Sequence, residues 1–227
     1  MKSEETMHKY VRTIQRTPEF DRFFASLPLK TQTKFDYVMN VIATVYNVST
    51  KFAKRLENTE FYEMRVSVGN NEYRTILFAI DHENVMEAKN ILLLNGFIKK
   101  DTKDYRKQIE IATTILNIGI MRQLDPHKLA QLPTFNERLD DKYGKHGTPE
   151  REQFDEESLA WFYGNMLRER RRELKLTQRQ VAERLGREQS YIARVENGKA
   201  DIQISSFFRI ATILGIQFVP TFIQAIR

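Results

Sequence analysis

The chain has no cysteine in 227 residues. That absence excludes disulfides, thiolate zinc sites, iron–sulfur clusters and cysteine nucleophiles. It also removes any mark of an oxidising compartment. Long apolar runs are missing as well. None approaches the ~18–20 residues of a membrane helix, and the start, MKSEETMHKYVRT, has no signal-peptide core. No internal repeat or low-complexity tract is visible, and there are only four histidines. The expectation is a soluble, cytoplasmic protein with no membrane partner. What is present is a 41% hydrophobic share, enough for packed cores. The length predicts one large or two small domains. A net charge of +6 and a pI near 9.4 point to an anionic partner such as nucleic acid.

The charge is uneven. Residues 1–107 hold 18 Lys and Arg against 14 Asp and Glu. Residues 134–157 hold 4 against 8, and residues 158–199 hold 10 against 5. Two basic regions thus flank an acidic one. The plainer alternative for any one block is a solvated surface.

Residues 18–48 carry Phe20, Phe23, Phe24 and Leu27, then Phe35, Val38, Met39, Ile42, Val45 and Tyr46, at helical spacing. Pro28 interrupts them, which predicts a helical hairpin broken at LPLKTQ. The runs FYEMRVSV (61–68), EYRTILFAI (72–80) and VMEAKNILLLNGF (85–97) predict three strands of an antiparallel meander. Turns at 69–71 and 81–84 separate them. The preceding helices must cover one face of it. KQIEIATTIL (107–116) predicts a closing helix. The expected organisation is a domain over 1–117, a linker over 118–133 holding Gly119 and Pro126, and a helical domain over 134–227. Met121 is either a core methionine or the former start of a second protein.

Beyond residue 134 all signals are helical. Gly144 suits a position just past a helix end. Thr148-Pro149-Glu150 suits a cap followed by proline in the first turn, opening a helix to about Leu174, with a kink possible at Gly164. Thr177 and Gln180 have capping-box spacing. Val181, Ala182 and Leu185 form one apolar face, and Gly186 permits a tight turn. A second short helix follows, with Ile192 and Val195 inward and Gln189, Ser190, Tyr191 and Arg194 pointing elsewhere. Asn197-Gly198 ends it, and Phe207, Ile210, Ala211 and Leu214 supply a closing helix. Two short helices around a glycine turn make a helix-turn-helix, with its core over 158–216. IQFVPTFI (216–223) suits an edge strand, which could serve a dimer contact or complete the core.

These residues resemble the Xre-type helix-turn-helix family of phage-repressor-like DNA binders. The matching residues are Thr177-Gln178, Val181-Ala182, Leu185-Gly186, Ser190-Tyr191-Ile192 and Val195 to Lys199. The resemblance implies a recognition helix in the major groove of operator DNA, with Gln189, Ser190, Tyr191 and Arg194 at or near base edges. It implies phosphate contacts from Gln178, Arg187 and Lys199, and from some of Arg168, Arg170, Arg171 and Arg172. Such modules bind as homodimers to two half-sites. The residue before Gln189 is Glu188, where the family has a small capping residue.

The basic residues of the first half sit at strand ends and in the last loop: Lys54, Arg55, Arg65, Arg74, Lys99, Lys100 and Arg106, with Tyr105 among them. Glu63 and Arg65 share one strand face by period two. Arg74 could instead be a structural ion pair with Glu63 or Glu72, and Tyr105 a packing residue at a helix start. The pattern KRLENTEFYEMRV, EYRTILF and NGFIKKDTKDYRKQIEIA resembles RelE/HigB-type toxins, over about residues 10–116. The resemblance implies metal-independent, cofactor-free cleavage of mRNA, usually on the ribosome. Arg65, Arg74, Lys99, Lys100 and Tyr105 are then the catalytic candidates, and Lys54, Arg55 and Arg106 the RNA contacts. Arginines suit the developing phosphorane charge. A lysine crowded by cations, or a tyrosine, suits proton transfer or base stacking. No histidine falls in the Gly-Phe-x-Lys-Lys loop.

A toxin preceding its antitoxin is the usual HigB-type order, and here both lie in one chain. The expected fold class is α+β: a RelE-like helical hairpin with a small antiparallel sheet, then an all-α Xre domain. The expected function is a fused toxin–antitoxin protein, its nuclease restrained by toxin–antitoxin contact within or between chains and its C-terminal half an autorepressor. The alternative is a non-enzymatic regulator whose first domain is a retired toxin fold used for dimerisation or sensing.

Overall fold

The computed structural model describes residues 10–45, 53–100, 102–117 and 129–219. The chain folds as two compact units, Met1–Ser158 and Leu159–Arg227. Met121, Gly119, Pro126 and residues 220–223 lie outside the described residues. Among the described residues no helix is long and apolar enough to cross a membrane.

The first unit is α+β. In chain order it contains β1 (Thr13–Arg16), α1 (Pro18–Ala25), α2 (Leu29–Thr44), β2 (Ala53–Arg55), β3 (Tyr62–Val68), β4 (Asn71–Ala79), β5 (Asn90–Ile98), α3 (Thr102–Ile115) and α4 (Phe135–Tyr143). The strand order is β1-β5-β4-β3-β2. The sheet is mixed, which corrects the antiparallel expectation: β1 runs parallel to β5, and the remaining pairs are antiparallel. The strands TIQR and AKR are too short to announce themselves by alternation, and pairing with β5 and β3 makes them strands. The third expected strand begins at Asn90 rather than at residue 85, because Asp81 accepts hydrogen bonds from the Lys89 and Asn90 amides and holds the preceding segment as a loop.

Local chemistry sets the boundaries. Thr17 caps α1 by accepting from the Phe20 amide (3.2 Å), Pro18 takes its first position, and Glu19 and Asp21 complement the dipole. Gly69, at φ +62°, opens the two-residue turn between β3 and β4. Helices α1 and α2 cover one sheet face. Phe35 lies edge-on to Tyr73 (6.0 Å), and Phe23 fills the space where any side chain at Gly96 would stand. Helix α3 covers the other face with Ala112 and Leu116 against Phe61, Ile76, Phe78, Leu92, Leu94 and Phe97. Full burial of each large apolar side chain contributes about 1.5–3 kcal/mol.

The first unit continues past α3. Leu129 joins the α3-side core, and its carbonyl accepts from Gln15 Nε2 (2.8 Å). Thr134 bridges Gln15 at the open edge of β1. Helix α4 then lies on the α1–α2 side, with Phe135 edge-on to Phe24 (5.9 Å). Residues 129–158 therefore wrap around the β1 edge. Asp36, fully buried on α2, accepts from Lys142 (2.7 Å) and Tyr143 (2.8 Å) and sits 3.4 Å from Arg138. Arg151, also fully buried, binds Asn40 (2.9 Å), Asp140 (2.9 Å) and Asp155 (3.0 Å). Removing one partner from such a buried charge costs about 3–5 kcal/mol.

Among the described residues, the regular structure of the second unit is all helical. It contains the later part of α5 (Pro149–Glu173), then α6 (Gln178–Leu185), α7 (Gln189–Glu196) and α8 (Ile204–Ile213). Thr148 Oγ accepts from the Arg151 amide at the start of α5 (3.3 Å). The core is Leu167, Val181, Ala182, Leu185, Ile192, Val195, Ile210 and Leu214. Gly164 allows α5 to approach the α7 backbone, since a Cβ there would strike the Val195 carbonyl. Residues 216–219 form no strand, so the edge-strand expectation fails over its described part. Those residues continue from α8 as irregular chain, with Phe218 packed on Phe207 (5.1 Å).

Candidate functional site

In the first unit the site grows from the pairing of β3 with β4. The register sets Arg65 directly opposite Arg74. Like charges in that position repel, and a buried carboxylate resolves the conflict. Glu63, 2% exposed, lies two residues before Arg65 on the same face. Its Oε1 accepts from Arg65 Nε (2.7 Å) and Nη2, and its Oε2 lies 3.7 Å from Arg74 Nε. Tyr105, in the first turns of α3, donates to Glu63 Oε2 (2.6 Å) and accepts from Arg74 Nε (3.1 Å). Arg74, 5% exposed, also donates to the Tyr73 carbonyl (2.9 Å) and to Glu72 Oε2 (2.7 Å). Lys99 Nζ stands 3.9 Å from the same Glu72 oxygen and 5.9 Å over the Tyr105 ring. Phe97 packs edge-on against that ring (5.4 Å) and fixes it.

Burial pushes the Tyr105 phenol up to about 12, and the hydrogen bond to Glu63 adds to the rise. Tyr105 is therefore protonated at neutral pH. The cluster offers two guanidinium groups and an ammonium for phosphate, a carboxylate to accept a proton, and a phenol hydrogen-bonded to that carboxylate. Among the described residues no group of three or more His, Asp or Glu side chains is arranged to hold a metal ion.

Arg65, Arg74, Lys99 and Tyr105 come together. Lys100 and Arg106 are exposed, and none of the contacts that build the cluster is theirs. Lys54 and Arg55 are exposed on β2, and Lys54 pairs with Glu63 in register, so it leaves the same sheet face. Arg55 lines a groove of about 880 Å³ with Asn58, Phe61, Ile109 and Thr113. Tyr105, Ile109 and Thr113 are spaced by four along α3, so the groove follows the helix face that begins at the cluster. The residue missed among the site candidates is Glu63. The sequence offers two signals for it, the strand face shared with Arg65 and the alternative of an ion pair with Arg74.

In the second unit, Thr177 and Gln180 form the capping box of α6, and Gly186 takes the left-handed conformation (φ 69°, ψ 40°) that turns the chain into α7. Gln189, Ser190, Arg194, Arg187 and Lys199 are exposed, and Tyr191 is half-buried with Arg187 over its ring (5.7 Å). Gln178 donates to Glu196 Oε2 (2.9 Å), tying α6 to α7. Glu188 precedes α7 without a side-chain capping bond.

The arginine run is largely structural. Arg171 makes two bonds to buried Glu196 (2.5 and 2.8 Å) and one to the Leu176 carbonyl (2.8 Å), and the Glu196 bonds hold its charge. Arg170 binds the Leu214 carbonyl and Glu173. Arg168 turns inward to Asn165, and burial lowers its pKa. Arg172, half exposed beside Glu169, is the member of the run nearest to solvent. The Arg171 guanidinium is consumed inside the fold, so any phosphate contact expected of this run falls to its other members.

Residues 22–117 match the family described as phage derived protein Gp49-like (DUF891), and residues 167–219 match the family described as helix-turn-helix. No curated protein matches the chain.

Proposed function

We propose that this chain, in which a Gp49-like domain of the RelE/HigB-like toxins precedes an Xre-type helix-turn-helix domain, is a fused toxin–antitoxin protein. The first unit is a metal-independent mRNA endoribonuclease. The second binds operator DNA as an autorepressor. The observation that carries the nuclease reading is the buried Glu63 held between Arg65, Arg74 and Tyr105.

The chemistry follows from that arrangement. The ribose 2′-oxygen attacks the adjacent phosphorus and the bond to the 5′-oxygen breaks. Glu63 takes the 2′-proton. Tyr105 gives its phenolic proton to the departing 5′-oxygen and regains one from Glu63 across their 2.6 Å bond. Arg65, Arg74 and Lys99 stabilise the phosphorane charge between the two transfers. The products are a 2′,3′-cyclic phosphate and a 5′-hydroxyl. The groove beside Arg55 and the exposed Lys54 suit the flanking RNA, with Arg106 and Lys100 as outer contacts.

Residues 134–158 anchor on Tyr10, Arg12, Asp36, Tyr37 and Asn40, on the α1–α2 side of the sheet. Arg74 and Tyr105 lie on the α3 side. The proposed restraint remains toxin–antitoxin contact, within one chain or between two. Exposed Ile204, Phe208 and Val219 supply an apolar surface for pairing copies on two half-sites.

A second reading, the non-enzymatic regulator, is favoured by one observation: Arg65, Arg74 and Lys99 are each already paired with a carboxylate. Induction of a fragment ending at Glu173, the end of α5, separates the two. Translation stops if the domain is a nuclease, continues with Arg74→Ala, and continues with either form if the fold is retired.

A further inference from the structure

Glu63 and Glu72 both bind Arg74, but they are different kinds of partner. Glu63 is buried and bonded on both oxygens. The Glu72 side chain is 47% exposed, at the open end of β4. Its backbone carbonyl accepts from the Lys99 amide (2.8 Å), so Glu72 and Lys99 face each other across the end of the β4–β5 pair.

The Arg74 guanidinium is fixed on its other edges. Nε meets Tyr105 and Glu63, and Nη1 meets the Tyr73 carbonyl. Nη2 points to Glu72 Oε2 (2.7 Å), and Lys99 Nζ reaches toward the same oxygen (3.9 Å). One immobile donor and one flexible ammonium thus converge on a single oxygen of a carboxylate at the solvent boundary. A non-bridging phosphate oxygen takes the same donors. An exposed carboxylate loses little by turning to water.

We propose that Glu72 is a tethered stand-in for substrate: its carboxylate fills an anion subsite built by Arg74 and Lys99, and a phosphodiester enters by displacing it. The identity of that phosphodiester as RNA rests on the nuclease reading, whereas the subsite itself is tested with phosphate alone. The pairing that makes the cluster look neutralised is then the closed state of a binding site. Glu72 sets a threshold that single phosphates pass poorly and a polyanion held by Lys54, Arg55 and Arg74 together passes easily.

The test uses the full chain as wild type, Glu72→Gln and Glu72→Gln/Lys99→Ala. Inorganic phosphate is titrated at low salt while the Arg74 Nε–H resonance is followed, which isolates this site from the DNA-binding unit. A labelled 2′-O-methyl RNA octamer, which has no free 2′-hydroxyl to react, is titrated in parallel. The expected result is phosphate affinity about fivefold higher in Glu72→Gln, lost again in the double variant, with the octamer gaining at least as much. Unchanged or weaker phosphate binding in Glu72→Gln overturns the subsite, whatever the octamer does, and marks Glu72 as a structural prop for Arg74. A phosphate gain with no octamer binding upholds the subsite and overturns the RNA reading.

Discussion

Arg65 and Arg74 stand directly opposite each other on β3 and β4, and both are bound by the one carboxylate of Glu63. A sheet gains nothing from two facing arginines. Glu63 offsets their repulsion by binding both guanidinium groups from a buried position. On the nuclease reading proposed above, the pair is placed for the phosphate of a bound RNA strand.

Glu63→Gln keeps the shape of the cluster and removes its proton acceptor. RNA cleavage is expected to fall about 10²–10⁴-fold. Arg74→Ala removes charge stabilisation and also strips Glu63 and Glu72 of a partner, so it lowers both cleavage and stability, the latter by about 3–5 kcal/mol. Cleavage kinetics and urea unfolding on the same preparations separate the two effects. Unchanged cleavage in Glu63→Gln contradicts its assigned role.

The raised Tyr105 pKa has a defined pH signature. The folded protein favours the protonated phenol, so the unfolded chain releases that proton first as pH rises. The stability contribution is fully present below the unfolded value near 10 and is lost as pH climbs through about 12. Unfolding free energy is therefore expected to drop over that alkaline window, and less steeply in Tyr105→Phe. Denaturant unfolding of both proteins at a series of alkaline pH values checks it. An identical pH slope in the two proteins excludes Tyr105 as its source.

The segment after the family match is a structural part of the first unit. Arg151→Ala leaves buried Asp155 and Asn40 without a partner they use, and Asp36→Ala does the same to Lys142 and Tyr143. Each is expected to destabilise the unit by about 3–5 kcal/mol, read as a lower urea midpoint. A fragment cut at residue 117 loses all of these contacts and is expected to be unfolded by circular dichroism. A cooperative, fully folded 1–117 fragment contradicts this.

In the second unit, Arg194→Ala and Gln189→Ala remove exposed side chains on α7. Each is expected to weaken operator binding by about 1–3 kcal/mol with little change in stability. Arg171→Ala acts oppositely in cause: it strands buried Glu196, and DNA binding falls because the unit loosens. Gly164→Ala forces α5 away from the Val195 carbonyl and belongs with Arg171. Thermal unfolding beside a binding titration distinguishes the classes. A destabilised Arg194→Ala protein removes α7's exposed face from consideration.

Much of this was legible in the sequence where a local rule decided the outcome. The capping box of Thr177 and Gln180, the glycine at Gly186 and the hairpin break at Pro28 are short-range chemistry, and each appears where its residues stand. Of the five residues expected to converge, Arg65, Arg74, Lys99 and Tyr105 do so, because strand ends and the final loop meet in such a meander, whereas Lys100 stands exposed outside the cluster's contacts. What escaped was long-range. β1 is a strand only because β5 lies beside it, and nothing in TIQR says so. Glu63 looked like a structural partner because burial, not sequence, makes its carboxylate notable. The acidic run over 134–157 read as a charge block, yet its work is done by its basic and aromatic members, Arg138, Lys142, Tyr143 and Arg151, against Asp36 and Asn40 of α2.

The most direct test of the proposed nuclease activity is the chemistry of RNA ends. Purified full-length protein is incubated with single-stranded RNA in the presence of a chelator, and the fragments are read by mass spectrometry. The expected result is slow cleavage leaving 2′,3′-cyclic phosphates and 5′-hydroxyls, faster in Glu72→Gln and absent in Glu63→Gln. Intact RNA with both wild type and Glu72→Gln, or identical cleavage by Glu63→Gln, contradicts it.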